Sequence, residues 1–204
     1  MDQEGRCLEI RRSAKATHRL VLLASRLGPI SLIPETHAAE GVVTVKEAIG
    51  KLPRLADGQT HPTDALHRSS KLSDTNKQRI AATPKNGGSA TSWPNHLIPK
   101  CYRRPSGRSY MVTVYGRMRW NDPAPTMTTQ FMTLGTGRFG HPTQDRAISL
   151  REAAIFQSFP SYYQFAPGND VTVKHVAKHI GNAVPVLLGR AIGKSIKNHV
   201  RHFS

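Results

Sequence analysis

Apolar and polar positions over the last third of the chain follow a helical period. Val173, Val176, Ala177 and Ile180 fall at i, i+3, i+4 and i+7, and Leu187, Leu188, Ala191, Ile192 and Ile196 form a second stripe of the same kind. The spacing predicts two helices. One is capped by Thr172 and stopped by Gly181; the next runs from Val184, with Pro185 in its first turn and Lys194, Lys197 and Arg201 toward its C-terminal end. Upstream, Ser149-Leu150-Arg151-Glu152 has the form of a capping box, so a helix begins there. It ends before Phe159-Pro160, because proline pushes the residue ahead of it out of the α region.

The earlier chain lacks this period. Leu20 to Ala24 and Ile30 to Ile33, on either side of Gly28-Pro29, are short apolar runs that predict buried core strands. From Pro34 to Arg108, short helical candidates such as Val45 to Leu52 alternate with loops rich in Pro, Gly, Ser, Thr and Asn. Trp93, between Ser92 and Pro94, is read as the core anchor of that stretch in preference to a base-stacking surface. Residues 110 to 148 carry strand-like pieces, Tyr110 to Tyr115 and Pro125 to Gln130, between glycine turns. Arg117, Arg119, Thr126, Thr128, Thr129 and Arg138 are the side chains there best suited to phosphate oxygens. Guanidinium offers bidentate geometry and threonine a short donor, although β-propensity accounts for the threonines equally well.

Charge narrows the class of partner. In 204 residues, 29 Lys and Arg against 13 Asp and Glu give a net charge of +16, a field that favours polyanions. The excess lies beyond residue 40: the first 40 residues carry 6 basic and 5 acidic groups, residues 41 to 110 carry 12 and 4. Arg68, Lys71, Lys77, Arg79, Arg103, Arg104 and Arg108 are all open as contacts to bases or phosphates. Two cysteines, Cys7 and Cys101, make neither a disulfide framework nor a metal site, so reduced thiols in a cytoplasmic protein are expected. The run Leu20 to Ala24 is too short to span a bilayer, and no membrane association is expected. His175 and His179 at i,i+4 lack a neighbouring Glu or Cys ligand and are read as polar-face residues.

Taken in order, these segments resemble the C-terminal half of a DNA (cytosine-5-)-methyltransferase. Arg119 to Thr129, with its Asp122-Pro123-Ala124-Pro125-Thr126 centre, resembles the block that follows the family's target recognition region. Asp145 to Ala154, continuing through Gln157-Ser158-Phe159-Pro160 to Phe165, is similar to the ninth signature block. Ile180-Gly181-Asn182-Ala183-Val184-Pro185 is similar to the tenth, and Arg19 to Ser25 looks like the end of the eighth, with only Arg19 of that block's arginines in place.

The resemblance implies an α/β fold: the C-terminal part of a doubly wound S-adenosylmethionine-dependent methyltransferase lobe, with a small, loop-rich α+β target recognition lobe inserted. Residues 1–33 would supply late strands of the catalytic lobe, 34–148 the recognition lobe and its junction, and 149–204 the returning helices. It further implies double-stranded DNA as partner, a substrate contact at Arg19, and a partial S-adenosylmethionine site touched by Asn182, Ala183 and Val184. The family's nucleophile sits in a Pro-Cys-Gln block and its cofactor loop reads Phe-x-Gly-x-Gly; neither is in this sequence, and the surroundings of Cys7 and Cys101 match no nucleophile. The resemblance therefore implies a segment inactive alone, whether a truncated remnant or one chain of a split restriction-modification enzyme whose other chain carries the catalytic half. The alternative is a stand-alone basic DNA-binding module without enzymatic activity.

Overall fold

The structure is a computed structural model describing residues 20–34, 42–103, 111–165 and 172–203. Arg19, Cys7, Arg104, Arg108 and Tyr110 lie outside the described residues, so the substrate contact expected at Arg19 does too. Helix α1 (Val45–Ile49) opens on a Thr-x-x-Glu box: the Glu47 amide donates to Thr44 Oγ1 at 3.2 Å while the Thr44 amide donates to Glu47 Oε2 at 2.7 Å. A short antiparallel hairpin follows, β1 (Thr60–His61) and β2 (Asp64–Arg68). Then come α2 (Asp74–Ala81), capped by Ser73, and three 3₁₀ turns at Ala90–Ser92, Asn95–Leu97 and Lys100–Tyr102. Helices α3 (Leu150–Phe156), α4 (Val173–Asn182) and α5 (Val186–Phe203) complete the order.

Helix α3 organises the core, packing against β2, α1 and α4. Leu150, Ala153 and Ala154 from α3 meet Val45 and Ile49 of α1, Leu66 of β2 and Val176, Ala177 and Ile180 of α4, with Phe131 and Phe139 filling the centre. The small alanines let the elements approach closely, and the aromatic rings supply the buried area. Arg151, on the rim of α3, grips Asp64 of β2 with two bonds of 2.7 and 2.9 Å. Burial would raise the Asp64 carboxyl, but the Arg151 pairing holds it below the usual carboxylate range.

The box at Ser149 forms as its residues require and extends into a buried polar network. The Glu152 amide donates to Ser149 Oγ (3.1 Å) and the Ser149 amide to Glu152 Oε2 (2.7 Å). The same carboxylate, 1% exposed, takes Arg146 bidentately at 2.8 and 2.7 Å. His67 ties the cap to the hairpin: its Nε2 lies 2.8 Å from the Pro53 carbonyl, which can only accept, so Nδ1 accepts from the Ser149 hydroxyl at 2.9 Å.

His141 packs beside this pair, 3.8 Å from Glu152. Burial pushes its pKa down to about 4, against the pull of Glu152. Between about pH 6.5 and 4 the unfolded chain therefore holds a proton that the folded chain does not. Its contribution is complete above about 6.5 and is lost as pH falls toward 4, on the order of 3 kcal/mol in total. Glu152 adds to the loss below its ordinary value of 4.5, since Arg146 outweighs burial and holds its carboxyl down. Urea unfolding should give equal midpoints at pH 7 and 8 and a clear fall by pH 4.5, with His141→Gln removing the upper part of that slope. A flat profile from pH 7 to 4.5 would contradict the buried neutral imidazole.

Several sequence expectations need correction. The runs at Leu20 to Ala24 and Ile30 to Ile33 form no strand, and Leu20 and Leu22 are 79% and 82% exposed; the sole ladder between named strands among the described residues is β1 with β2. Residues 111–114 are helical where a strand was expected, and 125–128 form no strand. Helix α4 runs one residue past Gly181, and α5 starts at Val186, so Pro185 precedes the helix; the Pro185 carbonyl accepts from the Gly189 amide. Thr172 occupies the N-cap of α4 without a side-chain bond. Trp93 is a core anchor, 6% exposed, its indole N–H donating to Thr83 Oγ1 at 2.8 Å. No described helix is long and apolar enough to cross a membrane.

Candidate nucleic-acid interface and cofactor corner

Residues 111–139 fold around an open cleft of about 490 Å³ whose lining includes Arg119, Asp122, Thr126, Thr128, Thr136 and Arg138. Four of the six expected phosphate ligands thus line one concavity. Arg119 reaches it because Gly87, at φ +102, leaves the space its chain occupies; a Cβ there would lie 2.2 Å from Arg119 Cγ. Arg138 is held by a 2.6 Å bond from Nη2 to the Gly87 carbonyl. Its pKa is lowered first by burial and then by the charge of Arg119. Two guanidiniums that repel across a concave wall make a site whose energy falls when an anion enters. Asp122, 3.9 Å from Arg119, offsets part of that repulsion in the free protein.

The other two expected ligands sit elsewhere. Arg117 reaches the cleft wall only with its buried stem, for its side chain is 0% exposed and all five N–H groups are spent inside. Nε donates to the Thr83 carbonyl, Nη1 to those of His141 and Gln144, and Nη2 to Ile80 and to the carboxylate of Asp145. With five donors and five acceptors matched, nothing remains for a phosphate, and Arg117 is corrected to an interior tie. Thr129 is not in the cleft lining; its backbone lies beside Gly181.

Gly181 connects the cleft to the second feature. A Cβ on it would stand 2.5 Å from the carbonyl group of Thr128 and from the Thr129 nitrogen, so the last turn of α4 rests directly on the backbone behind the cleft threonines. Beyond it, Asn182 is exposed, Ala183 half-buried and Val184 54% exposed, forming the corner between α4 and α5. Residues not foreseen from sequence fix this corner. The Gln157 side-chain amide Nε2 donates to the carbonyls of Ile180 (2.8 Å) and Ala183 (3.2 Å), the Gln157 backbone carbonyl accepts from the Val186 amide, and Ser158 Oγ accepts from the Leu187 amide at 3.1 Å. Ser158 adopts φ +58 to do so. The Gln-Ser pair ahead of Phe159-Pro160 was the available signal, but no periodicity marks its role.

Of the remaining basic candidates, Arg68, Lys71 and Arg103 are exposed and Lys77 and Arg79 half-buried, while Arg104 and Arg108 lie outside the described residues. Arg79 lies over the Trp93 and Tyr115 rings and donates to the Leu97 carbonyl; Lys77 pairs with Asp57 and Asp74; Arg103 donates to the Ile98 carbonyl. His175 and His179 are exposed on α4, and no group of three metal-ligating side chains occurs among the described residues. Cys101 is exposed in the third 3₁₀ turn.

Comparison with known proteins bears on the family of the chain. The chain is 51% identical over 179 residues to the Type II methylase M.HgiDII of Herpetosiphon aurantiacus, matching 88% of this chain and 50% of that protein. It is 30% identical over 185 residues to DNA (cytosine-5)-methyltransferase 3 of Arabidopsis thaliana, covering 78% of this chain and 13% of the plant protein. Among solved structures, a proposed DNA modification methyltransferase encoded within a prophage (E. coli) matches 83% of this chain and 50% of its own at 21% identity, with a TM-score of 0.44. The chain spans half the length of the bacterial methylase and less of the plant enzyme. The family model for C-5 cytosine-specific DNA methylases matches residues 16–198, and the chain belongs to that family.

Proposed function

We propose that these residues form the DNA-facing cleft and one wall of the cofactor site of a DNA cytosine-5 methyltransferase. Its cysteine nucleophile and main cofactor loop come from polypeptide outside these 204 residues. The contact of Gly181 with Thr128 and Thr129 carries the reading: it backs the anion cleft directly onto the corner of Asn182, Ala183 and Val184. DNA phosphate and cofactor would then approach opposite sides of one rigid backbone junction. In this division of labour Arg119 and Arg138 neutralise a phosphate, Thr126 and Thr128 orient it, and Gln157 holds the corner against the junction.

The corner suits one edge of S-adenosylmethionine. Asn182 offers an exposed amide, Val184 an exposed apolar surface, and the C-terminal end of α4 a negative dipole end that favours a cationic group. When bound, S-adenosylmethionine supplies the methyl group. The exposed thiol of Cys101, set between Lys100 and Tyr102 and in no Pro-Cys-Gln context, is not assigned as the nucleophile.

Duplex binding followed against salt tests the cleft. Arg119→Gln with Arg138→Gln should lower the slope of log affinity against log salt by about 2, at roughly 0.9 per phosphate. Unchanged affinity and slope in a folded double variant would remove the cleft from the interface.

A further inference from the structure

Helix α5 bears a second, separate cationic surface. Arg190, Lys194, Lys197 and Arg201 recur at i, i+4, i+7 and i+11, which places them on one stripe of the helix, and all four are exposed. The opposite side, with Leu188, Ala191 and Ser195 buried, packs on the segment of Leu32 and Ile33. The Ile33 amide donates to Ser195 Oγ at 2.9 Å and His199 Nε2 lies 2.6 Å from Ser25 Oγ, so the rotation of α5 is fixed and the stripe faces outward. None of these residues lines the cleft.

Ordinary helix electrostatics accounts for only part of the stripe. A cation such as Arg201 in the last turn complements the helix dipole, but Arg190 stands near the first turn, at the positive end, where a cation is disfavoured. Neighbours at i+3 and i+4 along the stripe carry like charges that repel. A surface made only for solubility interleaves both signs, yet residues 172–203 contain no Asp or Glu at all. Among the described residues, no carboxylate pairs with any of the four. About 16 Å of helix axis separates Arg190 from Arg201, and a DNA strand presents a phosphate about every 3.4 Å of axis, so the stripe supplies charge at nearly the density that one strand demands.

We propose that the Arg190–Lys194–Lys197–Arg201 stripe is a binding site for the sugar-phosphate backbone of duplex DNA, distinct from the cleft at Arg119 and Arg138. It rests on the reading of DNA as the partner, and its contribution is independent of sequence, adding affinity and salt dependence without base discrimination.

The test uses the 204-residue chain and a mixed-sequence DNA duplex, with affinity measured from low to moderate salt. The stripe variant carries Arg190→Gln, Lys194→Gln, Lys197→Gln and Arg201→Gln, since glutamine keeps helix propensity. A charge-matched variant carries Lys46→Gln, Lys51→Gln, Lys174→Gln and Lys178→Gln, all exposed, none lining the cleft and none on α5. Far-ultraviolet circular dichroism checks that each variant is folded. The proposal expects the salt slope to fall by about 3 or more in the stripe variant, at roughly 0.9 per contact, and by much less in the matched variant. Equal falls in both variants would reduce the effect to bulk charge and overturn the site. An unchanged slope in the stripe variant, with binding still lost in the Arg119→Gln, Arg138→Gln variant, would overturn the stripe and leave the cleft standing. Absence of duplex binding by the unmodified chain would overturn both. Single-stranded RNA bound more tightly than duplex, with the same dependence on the stripe, would overturn the assignment to DNA.

Discussion

Replacing Arg117 by methionine is expected to cost the fold about 3–5 kcal/mol, a large part of the stability of a domain this size. Methionine fills much of the volume, so the loss is polar. Four carbonyls, from Ile80, Thr83, His141 and Gln144, lose the guanidinium together, those of Ile80 and Gln144 keeping the amides of Thr83 and Arg146, and among the described residues Asp145 keeps Lys85 as its charged partner. Burial lowers the Arg117 pKa, but Asp145 counters it. Arg119→Met, two residues away and exposed, provides the comparison and should change stability by no more than about 0.5 kcal/mol. Urea unfolding of the two variants distinguishes an interior tie from a surface phosphate ligand: equal, small effects would mean that Arg117 is not the hub described.

The second large effect is expected at Gly181. Gly181→Ala forces a methyl group to within 2.5 Å of the Thr128 carbonyl and the Thr129 nitrogen, which are backbone atoms and cannot swing aside. Overpacking of this kind costs about 1–3 kcal/mol, and the displaced turn carries Asn182 and the cleft threonines with it. Gly189→Ala is the counterpart, because nothing lies within 4 Å of its added Cβ and it sits inside α5. There alanine should stabilise by about 0.5–1 kcal/mol. Thermal unfolding that moves the same way for both substitutions would contradict the close junction between α4 and residues 128–129.

What could be read from the sequence follows from how local each signal is. The Ser149 box needs only four consecutive residues, and α4 and α5 announce themselves by period, so these elements emerge within two residues of their expected ends. The apolar stretch at Leu20 to Ala24 is locally strand-like, but a ladder requires a neighbour, and no described segment pairs with it. Arg117 and Arg119 look alike along the chain. One is drawn inside by carbonyls of Ile80 and Thr83, more than thirty residues away, and the other is left outside by the absence of a Cβ at Gly87. Glu152 was legible as a cap and not as the partner of Arg146, because one carboxylate serves both. The cleft was partly legible as a cluster of hydroxyls and guanidiniums, whereas the clamp of Gln157 and Ser158 on the corner exists only once α3 and α4 have packed.

Transfer of a labelled methyl group from S-adenosylmethionine to the C5 position of cytosine in duplex DNA is the most direct measurement of the central claim. It compares the 204-residue chain alone, a polypeptide carrying the Pro-Cys-Gln and Phe-x-Gly-x-Gly blocks alone, and the two together. The account expects transfer only in the mixture, reduced when the chain carries Gly181→Ala. Mixtures that transfer no methyl group, while the chain by itself binds duplex DNA, would contradict it and leave a DNA-binding module without chemistry.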